Sequence, residues 1–103
     1  MLYSIMMIDK PDSSQLRAQT AAAHRRYMSN HVGDMRLGGP LLAEDGKTFI
    51  GSLIVKEFAD RCAAEAFIAA EPYNQAGLFE LVVVNAFRIA VDNSTLISEA
   101  RAD

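Results

Sequence analysis

The sequence predicts an α+β domain in the order β-α-β-β-α-β, and three observations predict it. Four short apolar segments read as strands, two longer stretches carry apolar residues at helical spacing, and glycine, proline and aspartate punctuate the joints. Elements in that order give the ferredoxin-like arrangement, a four-stranded antiparallel sheet with two helices on one face.

Leu2 to Ile8 is apolar at nearly every position and stops at Asp9-Lys10-Pro11-Asp12, a run of turn formers, which places strand one. Asp12 stands where it can cap a helix, with Gln15 reaching back to it, and no Gly or Pro intervenes before Gly33. Helix one therefore runs to about His31, and Gly33 ends it. Its inward stripe is Leu16, Thr20, Ala23 and Tyr27, with Gln19, Arg25 and Arg26 on the wet side. Met35 to Leu37 opens strand two, which runs into Gly38-Gly39-Pro40-Leu41-Leu42, where paired glycines permit a bend or a close ligand approach. Glu44-Asp45-Gly46-Lys47 carries an Asp-Gly turn signal and leads to strand three, Phe49 to Lys56, completing a hairpin. Asp60 caps helix two, which turns Ala63, Ala64, Phe67 and Ile68 inward and is stopped by Pro72, a residue without an amide hydrogen. Pro72 to Ala76, closed by Gly77, forms a further single turn, and the valine-rich run Phe79 to Ile89 is strand four. Residues 1–91 thus form one domain, and a polar tail expected to be mobile follows from Asp92.

With 103 residues, 50% of them apolar, the chain can build one ordinary core. Ten basic against thirteen acidic residues, with no basic run, argue against a nucleic-acid partner. The strands also lack the interleaved aromatic and basic residues of an RNA-binding sheet. The longest apolar runs are strand-sized, far below the roughly 20 residues that cross a bilayer, so no membrane partner is expected. A lone Cys62 permits neither an internal disulfide nor a cysteine zinc cluster, and the N-terminus lacks a secretory pattern; both point to the cytoplasm. The strands carry a second message. Leu2, Met6 and Ile8 alternate with Tyr3, Ile5 and Met7; Phe49, Leu53 and Val55 with Ile50 and Ile54; Leu81, Val83 and Phe87 with Val82, Val84 and Ala86. Both faces are apolar, where a sheet with one wet face shows a polar set. Left bare, that surface exceeds the few hundred Å² usual for a monomer, so a homodimer packed through its sheet faces, barrel-like, is expected. The second copy can then close a pocket between the sheet and its own helices.

Four segments carry a resemblance that spans Leu2 to Ile89: Arg17 with His24 and Tyr27, Gly38-Gly39-Pro40-Leu41, Ile50-Gly51-Ser52-Leu53, and Glu71-Pro72-Tyr73 through Ala76-Gly77-Leu78-Phe79. In order and spacing they resemble the YciI-like (YCII-related) family. The resemblance implies a ferredoxin-like fold, dimerisation through the sheets, and an active site pairing the helix-one histidine with an aspartate before Pro-Tyr or Pro-Phe. Here the acid is Glu71, which keeps the charge and adds a methylene.

His24 lies at the margin of the helix-one stripe, one turn from Thr20 and Met28, a pocket-wall position. Spacing alone suits a half-buried histidine bonded to a backbone carbonyl; the resemblance implies a general base, a role for which a side chain titrating near neutrality is fitted. Glu71 is placed to cap the Pro72 turn, whose amides favour negative charge, and either serves only there or also fixes the His24 tautomer, as the resemblance implies. Gly38, Gly39 and Pro40 form either a simple strand bend or a pocket wall that a substrate oxygen can approach. Tyr27 and Tyr73 either pack in the core or face an aromatic ligand. Arg17, seven residues before His24, binds either a substrate anion or a surface carboxylate. His31 continues that line, but two histidines fall short of the three or four ligands of a zinc site, and its helix-end position already accounts for it. No metal and no cofactor are expected. The five methionines read as core filler, and Cys62, beside only Arg61, has no catalytic part. The reading that results is a cofactor-independent enzyme of small molecules. With the resemblance it becomes a lyase of dehydrochlorinase type, or an isomerase, acting on a ring-hydroxylated catabolite such as a chlorinated hydroxyquinol. The alternatives are a dimeric module that binds or senses a small ligand without changing it, and an accessory subunit capping another sheet.

Overall fold

A computed structural model describes residues 1–93. The expected tail beyond Asp92 lies, save for Asp92 and Asn93, outside the described residues. The elements are β1 (Leu2–Asp9), α1 (Ser14–Ser29), a 3-10 turn (Val32–Asp34), β2 (Met35–Leu42), β3 (Phe49–Glu57), α2 (Arg61–Ala70), a one-turn α3 (Pro72–Gln75) and β4 (Phe79–Phe87). The sheet order is β2-β3-β1-β4 and every pairing is antiparallel, which is the ferredoxin-like arrangement. No helix among the described residues is long and apolar enough to cross a membrane.

Local chemistry explains most boundaries. Asp60 Oδ1 accepts the amide of Ala63 at 2.9 Å, capping α2 as expected, and Gly77 turns at φ +78°, which only glycine adopts freely. In the β2–β3 hairpin Gly46 takes φ +70°, while the Asp45 carboxylate accepts the Thr48 hydroxyl and the amides of Thr48 and Lys47. The Thr48 bonds come first among the causes that hold the Asp45 carboxyl down to about 2.

Helix one departs from expectation at both ends. Asp12 does not cap it: Asp12 sits at φ 57°, inside the turn, and the N-cap is Ser13, whose hydroxyl donates back to Pro11 O. The helix closes at Ser29 with Asn30 as its C-cap, and Gly33 lies within the separate 3-10 turn. His31 therefore stands beyond the helix, in contact with the rings of Tyr27 and Phe67. Strand β4 stops at Phe87, two residues short of Ile89.

The inward set of β1 is Tyr3, Ile5 and Met7, and register places Ile54 and Val84 beside Ile5. These pack under Ala64, Phe67 and Ile68 of α2, with Phe58 completing the cluster. Helix α1 lies less closely. It turns Ser14, Ala18 and Ala21 toward Gly38, Pro40 and Ser52, and small residues on both sides leave the space between the layers unfilled. On the opposite face Leu37, Leu81 and Phe87 remain 49%, 48% and 41% exposed, so the second face is apolar in fact as well as in pattern.

Gly51 fits its site because a Cβ there would stand 2.2 Å from the carbonyl oxygen of Met7, a backbone atom that cannot yield without disturbing β1. Gly51→Ala should lower stability by about 1–3 kcal/mol in urea denaturation. Gly33→Ala, where the added methyl meets nothing within 4 Å, should leave the midpoint nearly unchanged.

Candidate active site

A cavity of about 690 Å³ opens between α1 and the helix-covered face of the sheet, and its walls come from one chain. Seven of the eight residues singled out in the sequence line it: Arg17, His24, Gly38, Gly39, Pro40, Glu71 and Tyr73. Tyr27 does not. Its hydroxyl donates to Phe67 O at 2.7 Å and its ring meets Phe67, so it belongs to the α1–α2 contact; burial, then the charge of Glu71, pushes its phenol up.

Helix α1 and the turn α3 bring the two acid–base groups together. Glu71 ends α2 and caps α3, its Oε2 accepting the amide of Asn74 at 3.2 Å. Its other oxygen, Oε1, lies 2.6 Å from Nδ1 of His24. The Glu71 side chain is fully buried, that of His24 23% exposed. Nε2 of His24 has no protein partner among the described residues, and no buried side-chain nitrogen or oxygen there lacks one, so Nε2 is open to the cavity. The imidazole also stacks on Tyr73, centroids 4.2 Å apart and planes inclined by 22°. Burial pushes the Tyr73 phenol up; Arg17 pulls against it, and the charge of Glu71 adds to the rise.

A second charged pair lies alongside. Arg17, expected to meet either a substrate or a surface carboxylate, is buried: Nε donates to Asp9 Oδ2 at 2.7 Å and Nη2 to Asp9 Oδ1 at 3.0 Å. Nη2 also reaches Ser52 Oγ at 3.3 Å, and the guanidinium carbon stands 4.6 Å from the Tyr73 ring centre. Burial opposes the charge, but the Asp9 bonds hold the guanidinium pKa above its ordinary value. Asp9 reads as a turn former in the sequence, yet it falls two residues after Met7 in the inward set of β1, a signal that its charge turns under the helix. Ser52, Phe49 and Arg25 also line the cavity, although nothing in the sequence pattern marks them as site residues; Arg25, expected on the wet side, sits at the rim. A Cβ at Gly38 would stand 2.9 Å from Met35 Sδ, the end of a flexible side chain that can yield, and 3.2 Å from Ile54 Cγ2, whereas Gly39 faces open space.

A ferredoxin-like domain with a histidine–carboxylate pair in a helix-covered cavity defines the class. The YCII-related domain model matches residues 1–88, and the chain belongs to that family. It is 36% identical to the protein YciI of Escherichia coli O6:H1, over 85% of this chain and 97% of that protein. An uncharacterised Haemophilus influenzae protein is 28% identical, with the same coverage. Among solved structures, the 5-chloro-2-hydroxyhydroquinone dehydrochlorinase TftG of Burkholderia phenoliruptrix, in complex with 2,5-dihydroxybenzoquinone, superposes with a TM-score of 0.79 at 29% identity. That match covers 85% of this chain and 94% of TftG.

The Asp9–Arg17 pair can be tested by stability. Asp9→Ala leaves a buried guanidinium without its anion and should cost about 3 kcal/mol or more in urea denaturation. Adding Arg17→Met to that variant should recover a large part of the loss, because no buried charge then remains.

Proposed function

We propose that this chain is a cofactor-independent lyase of dehydrochlorinase type, or a related isomerase, acting on a small ring-hydroxylated aromatic compound such as a chlorinated hydroxyquinol. The observation that carries the reading is the buried Glu71 carboxylate 2.6 Å from Nδ1 of His24, with the opposite ring nitrogen open to a cavity that accommodates an aromatic ring. The likeness to a dehydrochlorinase supports the choice of reaction. The single, exposed, unpaired Cys62 is in keeping with a cytoplasmic setting.

In this reading neutral His24 donates its Nδ1 hydrogen to Glu71, which leaves Nε2 as the base. Nε2 takes a proton from a ring hydroxyl and returns it to the chlorine-bearing carbon, which becomes tetrahedral. Chloride then departs with the C–Cl electron pair while a second hydroxyl releases its proton to water. One HCl is lost and the ring reaches the quinone level without an external oxidant. Incubation with 5-chloro-2-hydroxyhydroquinone should release chloride, and His24→Gln should slow that release by about 10²- to 10⁴-fold. Ligand binding with no chloride release in the wild type would instead favour a sequestering or sensing module.

The apolar outer face is assigned in the same reading to a second copy of the chain, packed sheet to sheet. Leu37, Leu53, Leu81, Val83 and Phe87 share that face on β2, β3 and β4, and a like surface on a twin is its natural complement. The face lies across the sheet from the cavity, so each copy keeps its own site, and a twin packed there does not close the pocket as the sequence pattern leads one to expect. Sedimentation equilibrium should return a dimer mass, and Leu81→Glu, at a side chain exposed in the single chain, should return a folded monomer. A monomeric wild type would overturn this assignment.

A further inference from the structure

The donors and acceptors that line the cavity are unevenly disposed. Glu71 lines it and Asp9 stands behind Arg17, and every oxygen of the two carboxylates already has a protein partner: Asp9 accepts Nε and Nη2 of Arg17 on its two oxygens, and Glu71 meets His24 on one oxygen and the Asn74 amide on the other. The cations are not fully occupied. Arg17 gives three of its five N–H donors to Asp9 and Ser52 and a fourth to the side chain of Tyr73, which leaves one on Nη1. Arg17 lines the cavity, so the remaining donor meets that space beside Tyr73. Arg25, at the rim one residue beyond His24, makes no ion pair among the described residues, yet its charge reaches Tyr73. A guanidinium edge therefore faces inward from the wall and a second cation stands at the mouth, on either side of the imidazole along α1.

We propose that the cavity selects a planar ring carrying an ionised oxygen, a phenolate or a related ring oxyanion, over its neutral counterpart. Arg17 Nη1 takes the charged oxygen and Arg25 sets the preference at the entrance. This rests on the site described above but concerns which form of the ligand is bound, not whether a proton moves. Arg17 is fixed by Asp9 and stacked against Tyr73, so its edge is presented without reorganisation. Arg25 is exposed, so its share is modest and screened by salt.

The probe is 2,4-dinitrophenol, ionised at neutral pH, set against its uncharged methyl ether 2,4-dinitroanisole, with binding to the wild-type protein read by equilibrium dialysis and absorbance. The phenolate should bind at least about tenfold more tightly than the ether. Arg25→Gln should weaken phenolate binding by about two- to fivefold and leave the ether unchanged, Arg25→Lys should restore most of the loss, and added salt should erode only the phenolate's advantage. Because Arg17 also supports the fold, its share is read in the Asp9→Asn, Arg17→Met double variant, which removes both charges together and should abolish most of the remaining preference. Equal binding of the two probes, no binding of the phenolate, or equal weakening of both by Arg25→Gln would overturn the proposal. None of these results would touch the His24 reading, which stands or falls on chloride release by His24→Gln.

Discussion

The constraint on which the site depends is a carboxylate with no access to water. Glu71 is fully buried, and an ionisable group there is tolerated only if the protein replaces the hydration it has lost. Two partners from separate parts of the chain do so. One is the Asn74 amide, at the start of the turn that Glu71 itself caps; the other is the imidazole of His24, 47 residues away on α1. A single side chain thus joins α3 to α1 and fixes which ring nitrogen of His24 faces the cavity. The glutamate is compatible with both tasks, since its arm keeps one oxygen on the cap amide and the other on the imidazole. Removing the acid would loosen a helix junction and a histidine together.

The same economy recurs with Asp9 and Arg17. In each pair the carboxylate is the more hidden partner and the nitrogen group is turned to the cavity, so negative charge supports the wall while a guanidinium and an imidazole line it. Tyr73 stands close to both, 4.2 Å from the imidazole and 4.6 Å from the guanidinium carbon, and gives the two an aromatic spacer. The space itself comes from what α1 and the sheet lack. Alanines and a serine opposite glycine, proline and serine cannot fill the gap between layers, while bulkier Phe67 and Ile68 fill the neighbouring one under α2.

Much of this is legible in the amino-acid sequence, and the limits have physical causes. Strand alternation and turn residues suffice for the element order, because each depends on neighbours in sequence; Asp60 and Gly77 do as their local chemistry demands. The ends of helix one escape such reading for the same kind of reason in reverse. Asp12 is a good cap in isolation, but the chain needs it at positive φ to leave β1, and the cap passes to Ser13. Arg25 falls on the polar side of the α1 pattern, yet a helix standing off from its sheet brings its margin to the cavity rim. Tyr27 has the spacing of a site residue and is drawn away by Phe67 O, a partner distant in sequence. Family resemblance supplies what periodicity does not, the pairing of His24 with Glu71 across 47 positions.

A sheet apolar on both faces raises a question of register. Hydrophobic alternation ordinarily pins the pairing, because a slip of one residue would turn the buried set outward; here either set is greasy enough to be buried. The polar and small residues of β3 must therefore decide. Lys56 is 4% exposed on the helix side, with Nζ 4.4 Å from the ring centre of Phe58 and 5.4 Å from that of Phe67, and within 3.8 Å of Asp34. Ser52 meets Arg17, and Gly51 alone allows the close approach of the Met7 carbonyl. A one-residue shift would strand Lys56 on the apolar outer face, take Ser52 from Arg17 and drive a side chain into the β1 backbone. The three penalties act on one strand and in one direction, which is how β3 keeps Ser52 and Ile54, and with them the cavity floor, under α1.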